Sequence, residues 1–266
     1  MNRIDMKFEE LKKENKKALI TFITAGDPNL DMTENLVLTM DKAGADIIEI
    51  GVPFSDPIAE GPVIQMASKR SLDNGTKLVH IFDLVKRLRE NTEKPILLML
   101  YLNSIFGFGT EKFFSLCKES GVDGVIVPDM PFEEKDEIQS YADKYGVHSI
   151  SLVAPTSGDR IQKIAKNSKG FLYCVSSTGV TGTRNEFSTD FDKFFTEIKK
   201  SASIPYAVGF GISSPKQVRE MKKYCDGVII GSAIVKLVEK HKEKAEKPIF
   251  DFVKSAKMAL NDYIVL

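Results

Sequence analysis

Short apolar runs of strand length alternate along the chain with segments in which apolar residues recur every three to four positions, the pattern of an amphipathic helix. The apolar runs predict eight strands, at residues 18–24, 46–51, 96–101, 124–127, 148–153, 171–176, 206–209 and 227–230. Helical patterns follow these strands, at residues 30–43, from 63, from 78, and at 110–120, 133–144, 159–167, 191–201 and 215–224, with a final pair ending near 264. One more amphipathic stretch, at residues 6–15, precedes the first strand.

The spacing of these segments indicates the fold class. Each strand and its helix span roughly 25 to 30 residues, the size of a βα unit, and no hairpin signal separates neighbouring strands. Eight such units predict an α/β protein with a (β/α)8 TIM barrel, an extra N-terminal helix and extra helices in the βα loops. An open doubly wound sheet is the main alternative, but its first strand normally leads into a glycine-rich dinucleotide turn, and here that turn reads TAGDP. No domain boundary is evident, so we expect residues 1–266 to form one domain.

The second predicted strand carries a charged residue among apolar ones. Strand side chains alternate, so Ile47, Glu49 and Gly51 share one face, and Ile48 and Ile50 the other. Burying a carboxylate is unfavourable unless it is paired or functional, and burial raises its pKa toward the range useful for proton transfer. A catalytic role therefore explains Glu49 better than a structural ion pair.

The loop that follows this strand is stiff and acidic. Pro53, Pro57 and Pro62 restrict its backbone, and Asp56 and Glu60 lie between them. On spacing alone, each of these two acids fits a solvated loop as well as a functional site.

Composition narrows the function classes. Lysine plus arginine (37) balances aspartate plus glutamate (37), so no net charge directs the chain to nucleic acid or a membrane surface. The N-terminus lacks an apolar signal region and no apolar run is long enough to span a bilayer, so we expect a cytoplasmic protein.

Three widely spaced cysteines, Cys117, Cys174 and Cys225, fit neither a disulfide framework nor a zinc site and are interpreted as buried thiols.

Three glycine-bearing loops are candidates for anion binding or closure. The seventh and eighth strands run into GFGIS (209–213) and IIGSAI (229–234), just before helices, and the loops after these strands are the usual phosphate site of a TIM barrel. Either glycine pair alone is explained equally well by a tight turn, but their joint placement favours phosphate. The long polar segment STGVTGTRNEFST (177–189) is a candidate lid.

Aromatic residues stand near three predicted strand ends. Phe22, Tyr101 and Tyr173 each fit core packing singly, and together they would line an aromatic pocket. Asp129, after the fourth strand, fits a functional role or a turn or capping role. The three histidines are assigned no role.

Five motifs, in order along the chain, resemble the tryptophan synthase alpha subunit family. They are TAGDP (24–28), IEIGVPFSDPIAEGPVIQ (48–65), TGVTGTR (178–184), VGFGIS (208–213) and IIGSAIVK (229–236). The resemblance implies a (β/α)8 barrel that cleaves indole-3-glycerol phosphate to indole and glyceraldehyde 3-phosphate. It implies no cofactor in this chain, and a PLP-dependent beta subunit that receives indole through a tunnel in an alpha-beta-beta-alpha heterotetramer.

The same resemblance assigns roles to individual residues. Glu49 is implied to deliver and accept protons, while Glu60, where the family pattern has aspartate, would stabilise positive charge at the indole N–H; Tyr173 would lie near the substrate. Other implied positions are the indole pocket (Phe22, Tyr101, Phe210), the phosphate cradle (Gly182, Gly211, Gly231, Ser232), the lid (Thr181) and the partner interface (Pro53, Asp56, Asn103).

Two other functions are compatible with these residues. One is a phosphate-binding barrel with another reaction, such as a sugar-phosphate isomerase or an indole-releasing lyase that works without a partner. The other is a non-catalytic regulator that only binds and activates a beta subunit. If the resemblance holds, the isolated chain should be a slow enzyme, since a partner would select the closed loop.

Overall fold

The eight strands form a closed parallel barrel. The computed structural model describes residues 1–175, 191–209 and 211–261. Neighbouring strands in the barrel are consecutive in the chain, and β8 pairs with β1, which confirms the predicted (β/α)8 architecture. The strands are β1 (Ala18–Thr24), β2 (Ile47–Gly51), β3 (Ile96–Met99), β4 (Gly124–Ile126), β5 (His148–Val153), β6 (Leu172–Val175), β7 (Tyr206–Gly209) and β8 (Gly227–Ile230).

Twelve α-helices lie in the described part of the chain. They are α1 (Arg3–Lys13), α2 (Leu30–Ala43), α3 (Pro62–Asp73), α4 (Leu78–Arg89), α5 (Leu102–Phe108), α6 (Thr110–Ser120), α7 (Asp136–Tyr145), α8 (Arg160–Lys166), α9 (Phe191–Ser201), α10 (Pro215–Met221), α11 (Ser232–His241) and α12 (Glu246–Asn261). Two helices follow each of β2, β3 and β8, so the extra helices predicted in the βα loops are present. None of these helices is long and apolar enough to cross a membrane.

The structure differs from the predicted elements mainly at their ends. The sequence pattern did not predict α5, whose seven residues are too few to show a helical period. The predicted third strand extends only to Met99, because the chain turns into α5 at Leu102. A 3-10 turn, Phe132–Glu134, precedes α7, where the sequence predicted a continuous helix from residue 133.

The barrel separates two apolar regions. Ile47 packs inside the barrel with side chains from the other strands, whereas Ile48 and Ile50 pack outside, between the strands and the helices. This is the alternation that the sequence predicted, and it places Glu49 on the inner face with Ile47.

Helix α1 closes the N-terminal end of the barrel. Ile4, Phe8 and Leu11 are buried in the same cluster as the inward-facing strand residues, and the Phe8 and Phe171 rings lie 5.5 Å apart. The Asn2 side chain anchors the start of the helix by donating to the carbonyl of Asp123 at 2.8 Å. The end of the barrel opposite the strand C-termini is therefore filled by apolar side chains.

Aspartates connect neighbouring strands at this closed end. Each one directly precedes a strand and accepts a hydrogen bond from the backbone of the strand beside it. The pairs are Asp46 with Leu19 N–H (2.7 Å), Asp123 with Ile96 N–H (2.8 Å) and Asp226 with Tyr206 N–H (3.1 Å). The similar segments GADII, GVDGV and YCDGV thus serve strand pairing at the end of the barrel where catalysis is not expected.

All three cysteines are buried free thiols, as the sequence predicted. Burial raises the pKa of Cys225 to about 12 and raises that of Cys174 as well. Thiolate chemistry at neutral pH is therefore disfavoured at these positions.

Replacing Phe8 by alanine should destabilise the barrel by about 3 kcal/mol, because it leaves a cavity beside Phe171. The matched control is Met6→Ala on the same helix, where the side chain is 46% exposed and the expected change is within about 0.5 kcal/mol. Urea unfolding measures both. Equal effects of the two substitutions would contradict the packing role of α1.

Candidate active site

Glu49 lies on the inner face of the barrel and is fully buried. Its backbone is in register with Phe22 on β1 and Leu97 on β3, and the residue is 0% exposed. Neither carboxylate oxygen has a hydrogen-bond partner among the described residues. A buried carboxyl group without a partner is costly when ionised, so its position favours the protonated form.

The surroundings of Glu49 change its acidity. Burial raises its pKa from the ordinary 4.5 to about 8, so the group is mostly protonated at neutral pH. Tyr173 on β6 is also buried, and its pKa is raised well above 10.0, first by burial and then by the negative charge that Glu49 can carry. The two residues therefore lie within electrostatic range of each other inside the barrel.

Glycines at two strand ends make room for the aromatic rings of this site. A Cβ atom at Gly51 would overlap the ring of Phe22, and a Cβ atom at Gly209 would lie 2.8 Å from the Tyr173 hydroxyl oxygen. Any side chain at these positions would displace the rings. The sequence offered only the glycines as a signal, and their role depends on strand pairing that the sequence does not reveal.

Glu60 is buried although it belongs to a loop. It is 9% exposed, and its carboxylate accepts a hydrogen bond from the hydroxyl of Tyr101. The same hydroxyl accepts the Ala59 N–H at 3.0 Å, and the Tyr101 ring stacks on Phe54 at 4.8 Å. The solvated-loop interpretation is therefore wrong for Glu60, and Tyr101 fixes this part of the loop.

Two neighbours act on the Glu60 carboxylate in opposite directions. Burial raises its pKa and the negative charge of Asp129 raises it further, whereas the hydrogen bond from Tyr101 lowers it. Asp129 itself accepts the backbone N–H of Leu102 at 3.0 Å, at the start of α5. Asp129 thus holds the start of α5 from the neighbouring βα unit, and it also contributes charge near Glu60.

Three residues predicted to form the phosphate cradle lie in the described part of the chain, in a loop or at the start of a helix. Gly231 is the N-cap of α11 and Ser232 is its first residue. The first N–H groups of a helix have no partner within the helix, so they are available to an anion. A Cβ atom at Gly231 would lie 3.4 Å from Phe22, so this helix start is next to the Phe22 side chain. Gly211, after β7, has a φ of 64°, which favours glycine.

The structure does not describe the other residues predicted for the phosphate cradle, the lid and the indole pocket. Thr181, Gly182 and Phe210 lie outside the described residues, as does the predicted lid at 177–189.

The predicted partner contacts differ in exposure. Asp56 and Asn103 are exposed, but Pro53 is buried at the base of its loop. A direct contact through Pro53 would therefore require the loop to move.

Comparison with known proteins identifies the family. The family model for the tryptophan synthase alpha chain matches residues 8–264. The chain belongs to the tryptophan synthase alpha chain family. A tryptophan synthase alpha chain from Caldanaerobacter subterraneus subsp. tengcongensis is 51% identical over 262 residues, which cover 98% of this chain and 100% of the relative.

Solved structures of this family have the same fold. Tryptophan synthase subunit alpha from Legionella pneumophila is 34% identical, with a TM-score of 0.90 over 99% of this chain and 100% of that chain. A tryptophan synthase complex from Pyrococcus furiosus contains a chain that is 36% identical, with a TM-score of 0.83 over 91% of this chain and 98% of that chain.

Family membership supplies the reaction. The family cleaves indole-3-glycerol phosphate in tryptophan biosynthesis, and the chain is a carbon–carbon lyase of this type. The predicted family and activity are confirmed.

The free energy of unfolding of Glu49→Gln, relative to that of wild type, should increase as the pH rises from 4.5 to about 8. Over this range Glu49 keeps its proton in the folded wild type but loses it in the unfolded chain, so the free energy of unfolding of the wild type falls as the pH rises. Glutamine has no such proton, so the variant does not lose stability in this way. Urea unfolding across the range measures the difference. The exposed Glu119→Gln is the matched control, and a pH-independent gain for Glu49→Gln would contradict the raised pKa.

Proposed function

We propose that Glu49 is the group that transfers protons when this chain cleaves indole-3-glycerol phosphate. The observation that carries the proposal is the buried Glu49 carboxyl, without a hydrogen-bond partner among the described residues and with a pKa raised to about 8. A pKa near the working pH allows one group to act first as an acid and then as a base.

The retro-aldol reaction needs two proton transfers. Protonated Glu49 first donates its proton to the indole ring carbon that carries the side chain. The resulting carboxylate then removes the proton of the hydroxyl group on the adjacent side-chain carbon. The bond between the two carbons breaks, its electron pair returns to the ring, and indole and an aldehyde form. Glu49 regains a proton in the second transfer, so the group is ready for the next cycle.

Glu60 is proposed to stabilise the intermediate of this sequence. Protonation of the ring carbon places positive charge on the ring nitrogen, and a carboxylate facing that N–H stabilises the charge. Tyr101 and Ala59 fix the loop next to Glu60. Tyr173 is proposed to lie near the reacting carbons, because it packs inside the barrel and its hydroxyl oxygen would lie 2.8 Å from a Cβ atom at Gly209, at the C-terminal end of β7.

The remaining site residues are proposed to bind the two ends of the substrate. Phe22, Tyr101 and Phe210 would form the wall of the indole pocket. Backbone N–H groups at Gly211, Gly231 and Ser232, together with Gly182, would hold the phosphate, while Thr181 would contact the Glu60 loop on closure. A Cβ atom at Gly231 would lie 3.4 Å from Phe22, and this proximity supports adjacent indole and phosphate subsites.

We infer that a tryptophan synthase beta subunit docks near the Glu60 loop. Ile58 of this loop is 74% exposed, and Phe106 of α5, which follows the Tyr101 that contacts the loop, is 45% exposed. The exposed polar residues Asp56 and Asn103 lie on the same two segments. Exposed apolar residues bordered by polar ones are typical of protein interfaces. The similar chain from Pyrococcus furiosus belongs to a tryptophan synthase complex. An alpha-beta-beta-alpha tetramer, PLP in the beta subunit, indole transfer between subunits and a cytoplasmic location stay predictions.

Indole release from indole-3-glycerol phosphate, measured with and without a beta subunit, tests this function. We expect slow release by the chain alone and faster release with the partner. No indole under either condition would favour a non-catalytic regulator, whereas full activity alone would favour a partner-independent lyase. In the same assay Glu49→Gln should lower the rate by about 10² to 10⁴, and Glu119→Gln should leave it unchanged.

Glu60→Gln and Glu60→Asp distinguish the effect of the negative charge at residue 60 from the effect of its side-chain length. Glu60→Gln keeps the length but removes the charge, and should lower kcat by on the order of 10². Glu60→Asp keeps the charge and has the residue of the family pattern, so we expect it to be faster than wild type. Steady-state rates of indole formation measure both. A rate below wild type for Glu60→Asp would show that the site is adapted to glutamate, through its bond to Tyr101.

A further inference from the structure

The loop after β1 is attached to the C-terminal end of α3. Nε and Nη2 of Arg70 donate to the two carboxylate oxygens of Asp27, both at 2.8 Å. The Ser71 hydroxyl donates to the carbonyl of Ala25, and the Asn74 amide donates to the carbonyl of Pro28 at 2.6 Å. One short loop thus receives four hydrogen bonds from three side chains at the end of one helix.

The attachment also depends on the absence of a side chain at Gly26. This residue has a φ of 78°, and a Cβ atom there would overlap the side chains of Ser71 and Thr76. The close approach of the loop at residues 25–28 to the end of α3 therefore requires glycine at residue 26.

The other end of α3 leads to Glu60. The helix begins at Pro62, and the Gln65 amide of its first turn donates to the carbonyl of Glu60 at 2.8 Å. Arg70 stands eight residues beyond Pro62, so about 12 Å of helix separates the two ends. A helix of this length is stiff, so a shift at Arg70 is transmitted to Glu60.

The middle of α3 rests on the active-site wall. Ile64 and Ala67 pack in a small apolar cluster with Phe22 and with Val235 of α11. A tilt of α3 would therefore change the position of Glu60 relative to the indole pocket.

The Arg70–Asp27 pair is the charged part of this attachment. The Asp27 side chain is only 3% exposed, and two parallel bonds from a guanidinium fix direction as well as distance. Arg70 also pairs with Glu239 at 3.1 Å, but that carboxylate is 48% exposed and contributes little. Removing the guanidinium would leave a buried carboxylate unpaired at the end of α3.

We propose that Arg70 is a positioning residue that sets the place of Glu60 in the active site by holding α3 against the loop at residues 25–28. It acts through α3 and not on the substrate, and the inference rests on the proposed function of Glu60. Loss of the guanidinium should lower kcat, because the charge on the ring nitrogen is then poorly stabilised. KM should change little, because the phosphate cradle belongs to other elements.

The test compares Arg70→Met, Arg70→Lys and Asp27→Asn with wild type in steady-state indole formation by the full chain, alone and with a beta subunit. Arg70→Met should lower kcat about tenfold or more while KM stays within about threefold, since small misplacements of a positioned group are costly. Arg70→Lys should be intermediate, because an ammonium cannot form the two parallel bonds. Millimolar guanidinium chloride should restore part of the kcat of Arg70→Met, whereas sodium chloride at equal ionic strength should not.

Two controls have matched chemistry. Arg87→Met removes an arginine that pairs with Glu34 at 2.6 Å between α4 and α2, and Glu239→Gln removes the exposed half of the Arg70 network. Both should keep the wild-type kcat.

The outcomes separate a positioning role from a structural one. An unchanged kcat in Arg70→Met, a loss of the same size in Arg87→Met, or no effect of guanidinium would overturn the proposal. If Arg70→Met does not fold, Arg70→Lys decides, and a wild-type kcat in that variant would overturn it. Absence of indole formation by wild type would instead contradict the function proposed for the whole site.

Discussion

The burial of one carboxyl group inside a barrel of apolar side chains is the constraint on which the site depends. Glu49 is 0% exposed and has no hydrogen-bond partner among the described residues, so the folded chain favours its protonated form. The barrel stays folded despite the unfavourable burial of Glu49, because the apolar layers on both sides of the strands and α1 at the closed end stabilise it. A carboxyl group that keeps its proton at neutral pH has the acidity that the proposed proton donor needs.

Other residues of the site fix the positions of the aromatic rings and of the loop that carries Glu60. Gly51 and Gly209 leave space for the rings of Phe22 and Tyr173, and Tyr101 holds the loop that carries Glu60. The two acids are differently placed. Glu49 is fixed by a strand paired on both sides, whereas Glu60 depends on a loop and on the helix that follows it. The position of Glu60 therefore depends on more contacts than that of Glu49, and we propose that a partner and the Arg70–Asp27 pair act on the site through it.

Much of the fold was predictable from local patterns. The eight strands, the face on which Glu49 lies and the extra helices follow from residue periodicity, and the five sequence motifs by themselves indicate the family. The seven residues of α5 were not predicted, because they are too few to show a period, and the burial of Glu60 was not, because loop spacing carries no information about tertiary contacts. The hydrogen bond from Tyr101 to Glu60 joins residues 41 positions apart by chain numbering, and the Arg70–Asp27 pair joins residues 43 apart. Such contacts depend on how separate βα units meet.

The raised pKa of Glu49 is tested most directly by a titration of its carboxyl group in the full chain. Side-chain carboxyl carbons of glutamate can be labelled with carbon-13 and followed by NMR across the pH range, and the Glu49 signal is assigned by its absence in Glu49→Gln. Because the carboxyl group is buried, we expect a midpoint of about 8 in the protein without substrate. A midpoint near the ordinary value of 4.5 would contradict it, because Glu49 would then be ionised at neutral pH and could not begin the reaction as an acid.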